Sequence, residues 1–153
     1  MALAADKMIH CRIHTPDGTV CDAQAVGVQL PASDGYMGIL PNRAPVTAVV
    51  ATGMITLTRT AGEPMELFVS RGFLQVNQNE LTVMAEECAP IESLDAEHAW
   101  DLLERAYKLP QDTPEQRSLR DQAVDAGRIR FAMAQRGRKK QQLNEPDFQS
   151  LMR

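Results

Sequence analysis

Aromatic residues are scarce, 5% of a 153-residue chain: one tryptophan, two tyrosines and four phenylalanines. Surfaces on which bases could stack are correspondingly few. Cysteine is scarcer still, three residues with no CxxC pair, which excludes zinc ribbons and dithiol redox motifs. Cys11 alternates with Ile9 and Ile13, so it reads as a small buried apolar side chain, and a reducing compartment fits best. No uninterrupted apolar run approaches the roughly 18–20 residues that a membrane helix needs. The opening MALAADKMIH has neither a basic start nor an apolar core of signal length, so no secretory leader is expected.

The strings that carry catalysis are missing as well. The chain has no HExxH, no EF-hand loop, no Walker phosphate loop and no GxSxG. Three histidines are present. His10 and His14 would share a strand face about 13 Å apart, too far to hold one metal, and His98 stands alone. Asp101 and Glu104 read as a solvated helix face. The expectation is a non-catalytic chain with no metal and no resident cofactor.

What is present is a globular apolar fraction of 44% and an uneven charge distribution beneath a net charge of −4. Residues 1–85 carry five basic and seven acidic groups, and residues 86–126 carry four basic and eleven acidic. Residues 127–140, GRIRFAMAQRGRKK, then carry six basic groups and no acidic one. A cationic segment thus ends an anionic stretch.

Up to about residue 88 the apolar period is two. Ile9, Cys11 and Ile13 lie opposite His10, Arg12 and His14, and Pro16-Asp17-Gly18 turns the chain. Val26, Val28 and Leu30 share the next face. Further short strands are expected around 37–40, 46–50, 54–59, 65–71, 73–77 and 81–86, separated by Gly-, Pro- and Asn-bearing turns. Strands at this spacing predict an antiparallel β-sandwich or flattened barrel over residues 1–90.

After Pro90 the period changes to that of a helix. Ser93 is the expected N-cap, and Ala99, Leu102, Leu103 and Ala106 form one stripe that stops at Leu109-Pro110. Thr113-Pro114-Glu115-Gln116 is a capping box that opens a second helix reaching about Lys140. Its expected stripe is Leu119, Ala123, Ala126 and Met133. The pair predicts an antiparallel two-helix hairpin over 91–140, buried so thinly that it is only marginally stable alone. Residues 141–153 read as a tail of low order. The basic helix has three readings: a solvated face, a phosphate-backbone contact of a nucleic-acid-binding module, or a docking face for an acidic protein surface.

The most unusual stretch is Gly35-Tyr36-Met37-Gly38-Ile39-Leu40-Pro41-Asn42-Arg43-Ala44-Pro45. With Thr15-Pro16-Asp17-Gly18 upstream and Gly53-Met54-Ile55, 68–76 and 81–85 downstream, it resembles the F-type ATP synthase epsilon chain over roughly residues 7–140. The resemblance implies a ten-stranded sandwich that binds the gamma subunit and sits on the c-ring. It also implies a rotor component that couples ion translocation to ATP synthesis at the cytoplasmic face of the bacterial inner membrane. Tyr36 and Arg43 match the positions that face the c-ring, where the family often carries Glu and His. The helical hairpin of the family can fold down or extend and hinder ATP hydrolysis. On that basis Arg128, Arg130 and Arg136 would meet acidic surfaces of the beta subunits, with no nucleic acid as partner. Asp95 and His98 match a motif that binds ATP in some members, here with His98 in place of arginine, which makes ATP a weak regulatory ligand at most.

Overall fold

The period-two segments pair by hydrogen bonding into one ten-stranded sheet. The computed structural model describes residues 7–144. The strands are β1 (Ile9–Thr15), β2 (Gly18–Ala25), β3 (Gly27–Ala32), β4 (Gly35–Ile39) and β5 (Val46–Val50), followed by β6 (Gly53–Thr58), β7 (Met65–Val69), β8 (Gly72–Asn77), β9 (Glu80–Ala85) and β10 (Cys88–Pro90). Their order is β10-β7-β6-β3-β5-β8-β9-β1-β2, with β4 paired to β3 off this path. The sheet folds over a core in which alternate residues point inward. Ile9, Cys11 and Ile13 meet Leu30, Ile39, Ile55, Leu67, Leu74, Leu81 and Val83, all at 1% exposure or less. The period therefore sets which face of each strand is dry.

One feature departs from the expected sandwich. Not every pair is antiparallel: β1 runs parallel to β9, with Cys11 opposite Leu81 and Ile13 opposite Val83. A parallel neighbour is available to β1 because its own hairpin partner, β2, occupies the other edge. The ten strands implied by the resemblance are present, the tenth being Cys88–Pro90, which pairs with β7 although only three residues long.

The chain divides at Pro90/Ile91 into two compact units. The second opens with a 3-10 turn, Ile91–Ser93, and contains helices α1 (Ala96–Tyr107) and α2 (Pro114–Asn144). Ser93 is not the N-cap of α1. Asp95 is, with its carboxylate accepting from the N–H of Glu97 at 2.9 Å and of His98 at 3.4 Å. Ser93 is taken up by the preceding turn, and the shorter reach of a hydroxyl loses to a carboxylate at the positive helix end. The capping box of α2 forms in full. Thr113 Oγ1 accepts from Gln116 N–H at 3.2 Å, and Gln116 Oε1 accepts from the N–H groups of Asp112 and Thr113 at 3.0 and 3.2 Å.

The inner stripe of α2 is turned from the expected one. Leu119 is 65% exposed, while Val124, Gly127, Ala134 and Gly137 are buried. Close approach decides this. A methyl group at Gly127 would stand 3.1 Å from Leu103 Cδ1, so α1 can reach the backbone of α2 only where no side chain intervenes. Trp100 beside Phe131 at 5.2 Å between centroids, and Leu103 beside Gly127, fix the helices antiparallel. α2 also runs past Lys140 to Asn144, because Lys140 and Gln141 both bond back to Glu92. Four residues expected in a low-order tail are thus helical, and 145–153 lie outside the described residues.

Ile55 is fully buried in the middle of the sandwich core. Ile55→Ala should lower unfolding free energy by about 2–5 kcal/mol, read as a fall in denaturant midpoint without a change in slope.

Candidate functional site

The Gly35–Pro45 stretch forms strand β4 and the corner that follows it. Gly35 has φ +129°, which only glycine takes without strain, whereas Gly38 has open space where a Cβ would stand. β4 is bonded to β3 on one side, so a carbonyl on its other side is available. Arg43 uses it: Nη1 donates to the Gly38 carbonyl at 3.2 Å. Asn42 holds the left-handed turn at φ +65° and is braced to the β8–β9 turn. Its N–H donates to Asn79 Oδ1 at 2.6 Å, and Asn79 Nδ2 donates back to Asn42 Oδ1 at 3.3 Å. Tyr36 is 59% exposed, with its hydroxyl accepting from Met54 N–H at 3.4 Å, and Leu40 beside the corner is 66% exposed. Tyr36 and Arg43 therefore belong to one strand-and-corner element that presents aromatic, apolar and cationic groups together.

A second surface on the sandwich carries exposed apolar side chains in register. Val49 lies opposite Phe73, Phe73 opposite Met84, and Met84 opposite His14, a row across β5, β8, β9 and β1. Val49, Phe73 and Met84 are 48%, 64% and 63% exposed. They border an open groove of about 540 Å³ that Arg71 and Glu86 also line. Sequence reasoning passed over this row, although a signal exists. Val49-Val50, Phe73-Leu74 and Val83-Met84 each double an apolar residue where alternation calls for a polar one on the outer face.

The polar face of β1 holds a charge cluster. His10 Nε2 pairs with Asp22 Oδ1, while His10 Nδ1 lies 3.4 Å from Glu80, which Arg12 Nη2 also reaches at 2.5 Å. His14 Nδ1 meets Thr19 Oγ1 at 3.0 Å. The bond to Asp22, reinforced by Glu80, raises the His10 pKa above its ordinary 6.5. The bond to His10 lowers that of Asp22, and the bond to Arg12 lowers that of Glu80. The two ring nitrogens face carboxylates on opposite strands, so the cluster is a clasp and not a metal cage. Cys11, Cys21 and Cys88 are free and buried. Hydrogen bonding to Cys21, then burial, raises the Cys11 thiol, and burial pushes Cys88 to about 12. Cys11 and Cys88 are therefore poor nucleophiles, whereas the bond to Cys11 lowers the buried Cys21 thiol to about 7.

On the helical unit, the basic residues do not form one face. Arg128 and Arg130 lie about 200° apart around the helix axis at 100° per residue. Arg128 turns to Tyr107, donating Nε and Nη2 to its hydroxyl at 3.1 and 2.8 Å. Arg120 and Arg128 each stand 5.8 Å from the centre of the Tyr107 ring. Arg130 is half-buried and Arg136 exposed. Trp100, Phe131, Arg138 and Lys139 line an open groove of about 520 Å³. Asp95 is engaged as the α1 cap, and His98 is exposed one turn into the helix. Among the described residues no helix is long and apolar enough to cross a membrane, and no cluster of His, Cys, Asp or Glu could hold a metal ion.

Residues 8–91 match the family of the ATP synthase Delta/Epsilon chain beta-sandwich domain. An ATP synthase epsilon chain of Rhodopirellula baltica is 35% identical over 120 residues, 78% of this chain and 93% of the relative. That of a Synechococcus strain is 32% identical over 119 residues, 78% of this chain and 86% of the relative. Among solved structures, a chain of the Euglena gracilis mitochondrial ATP synthase OSCP/F1/c-ring complex superposes with a TM-score of 0.72 at 19% identity. It covers 82% of this chain and 81% of its own. A chain of the Tetrahymena thermophila central stalk/c-ring structure gives 0.65 at 11% identity, with 82% and 96% covered. At those identities the structural matches establish the fold.

The His10 clasp has a signed pH dependence. A raised His10 pKa contributes stability below about 6.5 that is lost as pH rises through the folded value, whereas lowered Asp22 and Glu80 values contribute stability lost at acid pH. The clasp is thus complete in mildly acidic solution. His10→Gln should flatten the decline in unfolding free energy between about pH 6 and 8, and NMR titration of the native protein should place the His10 midpoint above 6.5.

Proposed function

The chain belongs to the ATP synthase epsilon chain family, and from that membership we propose that it is a non-catalytic central-stalk subunit of an F-type ATP synthase. In this reading it couples ion translocation to ATP synthesis as a peripheral component at the cytoplasmic face of a bacterial inner membrane. The observation that carries it is the exposed row Val49–Phe73–Met84. Three large apolar side chains in register on an outer sheet face are costly in water and are stabilised by a partner that covers them. We assign that partner as the gamma subunit, and the corner bearing Tyr36, Leu40 and Arg43 to the polar loops of the c-ring. An arginine already oriented by the Gly38 carbonyl retains further N–H groups for a second acceptor.

The helical unit is assigned as a brake on ATP hydrolysis that acts on the beta subunits. Its two-state character follows from what Arg128 touches. With α1 and α2 packed, the Arg128 guanidinium is committed to Tyr107. Separation of the helices frees Arg128 and exposes Arg130 more fully, so in the open form an acidic surface gains these two cations in addition to the already exposed Arg136, Arg138 and Lys139. A partner that binds one arrangement better shifts the population toward it. The thin inner face of α2 keeps the two arrangements close in free energy. ATP, if it modulates the balance, would do so weakly, because the Asp95 carboxylate is occupied by the helix cap.

Truncation after Glu92 should leave assembly intact and raise ATP hydrolysis of the assembled enzyme; unchanged hydrolysis would remove the brake. Phe73→Asp should weaken gamma binding at least about tenfold in a titration with purified gamma, while retaining the circular-dichroism spectrum of the native chain. Undiminished binding would assign the apolar row to another partner.

A further inference from the structure

The far end of α2 is held by a feature separate from the α1 contact. α1 spans twelve residues and α2 thirty-one, so the last two turns of α2 extend beyond the start of α1. There they meet the Ile91–Ser93 turn. A methyl group on Gly137 would lie 2.0 Å from the Ile91 carbonyl oxygen and 2.5 Å from its carbon, so the helix backbone rests directly on the turn. One helical turn later Lys140 Nζ stands 3.2 Å from Glu92 Oε1, and Gln141 Nε2 donates to the Glu92 carbonyl at 2.8 Å. Ile91 is fully buried, and the Lys140 and Glu92 side chains are only 22% and 33% exposed. Contact, ion pair and a hydrogen bond to a backbone carbonyl converge on two consecutive residues, Ile91 and Glu92, of the chain that leads into the hairpin.

We propose that the Ile91–Ser93 turn is a catch for α2, and that Gly137, Lys140 and Gln141 set the fraction of molecules whose hairpin is closed. The geometry favours a catch over general packing for two reasons. Gly137 is a poor helix former within the C-terminal third of a 31-residue helix, so its place there reflects the surface it must approach. Beside the Ile91 contact the partners are a backbone carbonyl and a charged pair, which exchange for water at small cost. α2 can therefore leave the turn without unfolding. The functional consequence rests on the brake assigned above: releasing the catch would favour the open, hydrolysis-hindering form.

Spin labels at Glu97→Cys and Leu143→Cys, both exposed positions, report the closed hairpin in the full chain as one short distance. Gly137→Ala cannot seat against Ile91 and should convert most molecules to a longer, broader distribution. Its helix content should be retained or raised, since alanine favours helix. Glu92→Gln, which keeps the carbonyl, should raise the open fraction by about two- to fivefold. An unchanged short distance in both variants would overturn the catch. If Gly137→Ala loses helix content, Glu92→Gln decides alone. In the assembled enzyme Gly137→Ala should lower ATP hydrolysis; opened distances with unaltered hydrolysis would uphold the catch and reject the brake.

Discussion

The inner face of α2 contains glycine, alanine and valine where most helices place leucine, and the behaviour of the helical unit follows from that. Small residues bring the α1 backbone close but remove little apolar area from water. The cohesion that burial does not provide comes from polar and cationic contacts: Arg128 and Arg120 around Tyr107, Lys140 and Gln141 on Glu92. These contacts exchange readily with water or with a competing surface. A unit built this way is ordered yet replaceable. The sandwich is the opposite case, because its interior is a continuous apolar cluster that admits no second arrangement.

The division of labour is visible in the chemistry of the two parts. The sheet supplies fixed surfaces, an apolar row on one face and an aromatic-cationic corner at one edge. The helices supply charges whose availability depends on conformation. Neither part offers a nucleophile poised by a base or a cage of ligands among the described residues, and the three thiols are buried in the sheet.

Much of this could be read directly from residue order. Alternation located nearly every strand because a one-residue slip would turn Ile9, Cys11 and Ile13 into water, and Thr113-Pro114-Glu115-Gln116 marked the start of α2 because its bonds are local. What local order does not encode was missed. The parallel β1–β9 pairing joins residues about seventy apart and leaves no local mark. The face of α2 depended on which residues were small enough to be approached, so Leu119 misled where Gly127 and Gly137 were informative. Ser93 and Asp95 both resemble caps, and only the 3-10 turn at Ile91–Ser93 decides between them. The apolar row went unread because strands were placed by their period alone, and the outward residue of each doubled apolar pair, Val49, Phe73 and Met84, was not weighed.

The reciprocal Asn42–Asn79 bonds have a mechanical meaning. Corners after edge strands are ordinarily the most compliant parts of a sheet, yet this one is riveted to the turn joining β8 and β9. Those are the strands that carry Phe73 and Met84. A sideways push on Arg43 is therefore passed along two fully paired strands instead of being dissipated in a loop. The corner takes on the stiffness of the sheet, and displacement applied at one surface arrives at the other with little slack.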